Sequence, residues 1–79
     1  MMTIGEAIAA LKNGRRVRRD GWNGKGMWLR LVRGSRVLSN DIENFPHLDY
    51  IEMKTANDKL IPFCSQSEDL LATDWEIAE

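Results

Sequence analysis

The first apolar residues of the chain, Ile4, Ala7, Ile8 and Leu11, fall at the spacing of one helical face. Thr3 and Glu6 stand three apart at its start as a capping box, and Gly14 after Asn13 supplies a stop. A short amphipathic helix with its apolar stripe on a sheet is predicted. The period then changes to two. Arg16, Val17 and Arg18 predict a strand with one inward residue, ending near Asp20 and Gly21. Met27 to Val32 predict a second strand whose two faces, Met27/Leu29/Leu31 and Trp28/Arg30/Val32, are both partly apolar, so that one faces a core and the other a neighbour or ligand.

Arg33 to Ser35 read as a turn, Arg36 to Leu38 as a short strand, and the polar residues 39–48 with Pro46 as an irregular crossing. Tyr50 to Lys54 and Lys59 to Phe63 predict a hairpin turning at Ala56, Asn57 and Asp58, with Pro62 near an edge or a strand end. Ser65 with Glu68 reads as a second capping box opening a short helix through Leu70, Leu71 and Ala72. Trp75 and Ile77 close the chain as a final strand. The order predicts an α+β fold, in which an N-terminal helix packs on a twisted, mostly antiparallel sheet and a short second helix precedes the last strand.

Seventy-nine residues, 43% hydrophobic and 29% charged, leave room for one domain over 1–79. So small a core supplies only a few kcal/mol, which makes oligomerisation an expectation. One cysteine, Cys64, and one histidine, His47, provide neither an internal disulfide nor a thiolate zinc cluster. No apolar run approaches a membrane span, and Met1 to Gly14 do not read as a signal peptide, so a cytoplasmic location is expected.

The net charge of −1 conceals an asymmetry. Residues 1–40 carry nine basic and two acidic side chains, and residues 41–79 carry two basic and ten acidic. Either the halves pair with each other, or the basic half lines a positive pocket for an anionic ligand. Long nucleic acid fits less well, because the acidic half repels phosphates.

Catalytic chemistry is thinly supplied. His47 beside Pro46 suits an exposed or capping role, Cys64 reads as a small residue at a strand end, and Asp41/Glu43 and Glu68/Asp69 sit where solvated acids are ordinary. There is no phosphate-binding glycine motif of the Walker or Rossmann type. The expectation is a non-enzymatic protein, with no cofactor and no metal site.

The informative stretch is Gly21-Trp22-Asn23-Gly24-Lys25-Gly26-Met27-Trp28. Its three glycines permit positive φ and close approach of a ligand to the backbone. Trp22, in a glycine-rich turn among polar residues, is either a lid on the sheet edge or a half-exposed surface on which a purine stacks. Trp28 is either core or ligand face. Arg15, Arg16, Arg18, Arg19 and Lys25 stand near enough along the chain to reach phosphates or to remain solvated.

This stretch, together with Ile51-Glu52-Met53-Lys54-Thr55-Ala56, Ser65-Gln66-Ser67-Glu68-Asp69-Leu70-Leu71-Ala72 and Asp74-Trp75, resembles the successive motifs of the Thoeris anti-defense 2-like family, in order from Thr3 to Ile77. The resemblance implies a phage or prophage protein of the host bacterial cytoplasm. Such a protein sequesters cyclic ADP-ribose isomers made by TIR-domain defence enzymes, without cleaving them. It further implies a homotetramer with ligand pockets between protomers, and uptake of cyclic dinucleotides by some members. On this likeness Trp22 stacks on a base, Asn23, Gly24, Gly26 and Met27 shape the pocket with Trp28 beside them, and Ser65, Gln66 and Asp69 supply polar contacts. The family often has Pro-Trp where this chain has Pro62-Phe63; phenylalanine still stacks but offers a smaller face and no N–H. The alternative reading is a small protein-interaction module that uses Trp22 and the basic half against a host defence protein.

Overall fold

The computed structural model describes residues 1–22, 25–34 and 47–78. Its elements run α1 (Ile4–Lys12), β1 (Val17–Arg19), a 3-10 turn (Asp20–Trp22), β2 (Trp28–Val32), β3 (Tyr50–Lys54), β4 (Leu60–Pro62), α2 (Ser67–Leu71) and β5 (Trp75–Ile77). The predicted α+β order holds. The strand predicted over Arg36 to Leu38 and most of the crossing at 39–48 lie outside the described residues.

Helix α1 starts as its sequence dictates. Thr3 accepts from the Glu6 N–H at 3.3 Å while Glu6 accepts from the Thr3 N–H at 3.1 Å, satisfying two donors that the first turn cannot use internally. Gly14, at φ 83°, follows the Asn13 cap and ends the helix. Ala7 and Leu11 are buried, with Ile4 and Ala10 packed beside them.

The five strands form one sheet in the order β4-β3-β2-β1-β5, every neighbouring pair antiparallel. Register fixes the faces. Val17 pairs with Leu29 and Ile77, Leu29 with Met53, Leu31 with Ile51, Met53 with Ile61 and Arg19 with Trp75, so all of these share the face that α1 covers. The core is Ala7, Leu11, Val17, Leu29 and Trp75. Because α1 packs on β5, β1 and β2, the β3–β4 half of this face keeps less cover. Ile51, Met53 and Phe63 there are half-buried, and Leu60, from the other face of the edge strand, and Ile61 are exposed.

The opposite face carries charge in cross-strand pairs. Arg18 bonds Glu76 at 2.8 Å and Arg30 bonds Glu52 at 2.8 Å, while the Arg16 guanidinium lies 4.2 Å from the centre of the Trp28 ring. Such pairing lets a sheet face stand in water, which is one of the ways an antiparallel sheet leaves a face uncovered.

The hairpin turn forms where the sequence placed it. Thr55 donates to the Lys59 carbonyl at 2.8 Å, and Asp58 takes φ 61°. Pro62 ends the edge strand β4, where its missing N–H costs no ladder bond. One prediction shifts by a residue. Helix α2 is capped by Gln66, whose N–H donates to Asp69 Oδ2 at 3.0 Å, rather than by Ser65 with Glu68. Asp69 takes this role because its side chain is drawn inward by Arg19, at 2.9 Å, whereas Glu68 points to solvent.

Replacing a residue on the helix-covered face is therefore expected to cost far more than replacing one on the paired face of the neighbouring strand. Leu29→Ala should lose roughly 2–5 kcal/mol of unfolding free energy and Arg18→Ala no more than about 1 kcal/mol, both read from urea denaturation.

Candidate functional site

The turn after β1 places Trp22 half-buried at the rim of the core. Its ring meets Trp75 edge-on, with centroids 5.5 Å apart and an interplanar angle of 79°, and Phe63 at 6.4 Å and 64°. Both distances lie within the range in which edge-to-face packing adds to simple burial. Three aromatics from three separate segments thus share one corner, with Trp75 fully buried as its floor and Trp22 and Phe63 partly open above it.

A network of directional bonds holds this corner. Arg19 donates from Nε to Asp74 Oδ1 at 2.8 Å and from a terminal nitrogen to Asp69 Oδ1 at 2.9 Å. Asp74 Oδ2 accepts the Gly21 N–H at 2.8 Å, and the Asp74 carbonyl accepts the Asp20 N–H at 3.0 Å. Asp69 Oδ2 accepts from Gln66, and the Asp69 carbonyl accepts the Trp75 indole N–H at 3.0 Å. Gly21 lies close against the carboxylate: a Cβ would stand 3.0 Å from Asp74 Oδ2, which would have to give by a few tenths of an ångström. Hydrogen bonds from Arg19, and then from the Gly21 N–H, hold the Asp74 carboxyl below its ordinary range, while hydrogen bonds to Asp74, and then to Asp69, hold the Arg19 guanidinium more firmly protonated.

The remaining sequence-predicted residues fall into three groups. Ser65 and Gln66 are exposed in the loop between β4 and α2, near Phe63 in the chain, so this loop and the Trp22 turn border the same corner. Gly26, at φ 75°, offers its carbonyl to Lys54 Nζ at 2.9 Å; the positive φ makes glycine the fitting residue, and Met27 follows it half-buried. Asn23 and Gly24 lie outside the described residues. Trp28 is brought to the other face of the sheet, between Arg16 and Arg30, and does not converge with Trp22 within one chain. Asp69 is buried with both carboxylate oxygens engaged inside the chain.

Of the cations expected near this loop, Arg18 and Arg19 are committed to acids of the C-terminal half, as are Arg30 and Arg33, the last paired with Asp49 at 3.0 Å. Self-pairing of the two halves is thus the outcome for these four. Lys25 is exposed beside the turn, its N–H reaching the Trp22 carbonyl at 3.3 Å. Trp22 and Phe63 are partly exposed, so among the described residues the corner opens to the surface. No three His, Cys, Asp or Glu among the described residues are grouped to hold a metal ion.

Sequence reasoning gave Arg19 no role as an internal anchor, and Asp74 no role beyond the Asp74-Trp75 motif. A signal for the first was present: Arg19 shares the parity of Val17, and a charge at an inward position of a strand requires a buried partner.

The pH dependence follows from Asp74. Its folded value is lowered, so the stabilisation is complete above the unfolded carboxylate range and is lost as pH falls through the folded value. Thermal unfolding followed from about pH 6 to about pH 2.5 should show a falling midpoint, and Asp74→Asn should show a smaller fall. Some decline remains in that variant, because Asp49, bonded by the Gly34 N–H and Arg33, is lowered in the same direction.

A family model described as the Thoeris anti-defense 2-like domain matches residues 2–78. The curated protein Thoeris anti-defense 2 of Bacillus phage SP01 is 39% identical over 85 residues, which span 96% of this chain and 93% of that protein.

Proposed function

The chain belongs to the Thoeris anti-defense 2-like family, a phage anti-defense family, and from that premise we propose that it acts by sequestration, binding cyclic ADP-ribose-derived signals without cleaving them. The observation that carries the reading is the Trp22 corner. A half-open indole and a half-open phenyl ring stand over a rigid aromatic floor, beside the exposed polar side chains of Ser65 and Gln66. The partly exposed π-faces suit the adenine of such a ligand, and the exposed Lys25 suits its diphosphate.

The energetics suit retention. Nanomolar binding requires about −12 kcal/mol. Stacks at about 1–3 kcal/mol each and charge-assisted hydrogen bonds at about 1.5–3 kcal/mol each reach that range before association costs. An open corner on one chain gains enclosure from a second copy, in line with a homotetramer whose pockets lie between protomers. The partly covered β3–β4 half of the sheet, with Ile51, Met53, Ile61 and Phe63, adjoins the corner and is suited to that contact. In such an assembly Trp28 serves from another protomer, the bacterial host's cytoplasm is the working compartment, and the paired arginines leave little for a long nucleic acid to grip.

A second reading, docking to a host defence protein, draws on exposed Leu70 and Leu71 of α2. Native mass spectrometry against a panel of cyclic ADP-ribose isomers and cyclic dinucleotides separates the two. Sequestration predicts a ligand-bearing oligomer that releases its ligand at unchanged mass on heating. Turnover of the nucleotide by sub-stoichiometric protein contradicts it, and so does an absence of binding across the panel. Trp22→Ala should weaken binding roughly five- to a hundred-fold, the loss of one base stack.

A further inference from the structure

We infer that Arg19 and Asp74 are positioning residues that set the pose of the Trp22 indole against the Ser65–Gln66 loop, and through it the affinity of the corner for its ligand. The inference rests on the reading of that corner as the nucleotide site.

Each border of the corner ends on the same guanidinium. On one side Asp74 takes the Gly21 N–H through one oxygen and Arg19 through the other, immediately before Trp22. On the other side Asp69 takes the Gln66 N–H through one oxygen and Arg19 through the other, immediately after Ser65. The backbone bond from Asp20 to the Asp74 carbonyl fixes the turn at the residue before Gly21. The Trp22 turn and the α2 loop are 43 residues or more apart in sequence, and apolar packing alone would let them slide past one another. Directional bonds through one planar fork do not.

The site of this fork supports the assignment. The side chains of Arg19, Asp69 and Asp74 are only 17%, 12% and 26% exposed, so water screens the pair far less than it screens a surface ion pair. A Cβ on Gly21 would stand 3.0 Å from Asp74 Oδ2, so the turn sits close against the carboxylate. The ion pair between β1 and β5, Arg18 with Glu76, lies on the opposite face of the sheet and touches neither border of the corner. That pair provides the internal control, because it starts from the neighbouring residue of β1 and points away from the corner.

The test compares three variants of the full chain. Asp74→Asn has one acceptor oxygen in place of two, so either Gly21 or Arg19 is left facing an amide N–H. Arg19→Lys keeps the charge but cannot fork between two acids, and it serves should the first variant fail to fold. Glu76→Gln breaks the control pair. The readouts are the exchange rate of the Gly21 amide, followed by NMR, and affinity for the cyclic ADP-ribose isomers of the mass-spectrometry panel. Asp74→Asn or Arg19→Lys should speed Gly21 exchange and weaken binding about tenfold or more, while Glu76→Gln leaves both as in the unaltered protein. Unchanged affinity in the two site variants, whether or not Gly21 exchange speeds, overturns the inference alone. So does an equal loss of affinity in Glu76→Gln, which marks the effect as general destabilisation. Failure of the unaltered protein to bind any isomer overturns the functional reading and the inference with it.

Discussion

A guanidinium placed on the inward side of a strand must find acids there or leave its charge unpaired away from water, and Arg19 finds two. That requirement organises the C-terminal third of the molecule. It draws Asp69 into the protein and so selects the residue that caps α2. It also brings Asp74 against β1, where the start of β5 pairs Trp75 with Arg19. The Trp75 ring then seals the core while its N–H is satisfied by the carbonyl of Asp69. Burial of the largest side chain and pairing of the buried charge are thus parts of one arrangement.

The two faces of the sheet meet water by different means. One is neutralised strand by strand through Arg18 with Glu76 and Arg30 with Glu52, so the lopsided distribution of charge along the chain becomes local pairing once the halves fold together. The other is covered by α1 only over β5, β1 and β2, which leaves apolar side chains partly open toward β3 and β4. The corner bearing Trp22 and Phe63 joins that open half to the rim of the core. A chain of this size encloses a dinucleotide-sized ligand with difficulty by itself, and in the proposed assembly the open half is the surface that a second copy would cover.

Much of the fold was legible because local signals agreed with tertiary ones. The Thr3–Glu6 box, the alternation through Val17 and Leu29 and the turn at Asn57 and Asp58 each needed only neighbouring residues. Ends of elements were less legible. The choice of Asp69 over Glu68 as the capping acid depends on Arg19, distant by 50 positions, and no local motif carries that information. The candidate site divides in the same way. Trp22 and its glycine neighbours stand out in the sequence, and the family likeness orders the motifs along the chain. The separation of Trp22 from Trp28 comes from the 3-10 turn that places the first and the strand register that places the second, which their linear spacing conceals. The basic residues near the loop looked interchangeable until the fold sorted them into an inward fork, cross-strand pairs and an exposed lysine.

On the proposed reading, a nucleotide rests intact on the Trp22 corner. Three tryptophans give three indole N–H signals in a heteronuclear NMR spectrum: Trp22 at the corner, Trp75 bonded to Asp69 beneath it, and Trp28 across the sheet. Saturating the protein with a cyclic ADP-ribose isomer should move the Trp22 signal, and the isomer recovered afterwards should be chemically unaltered. A bound isomer that leaves the Trp22 signal where it was, or one recovered as a cleavage product, would contradict the account.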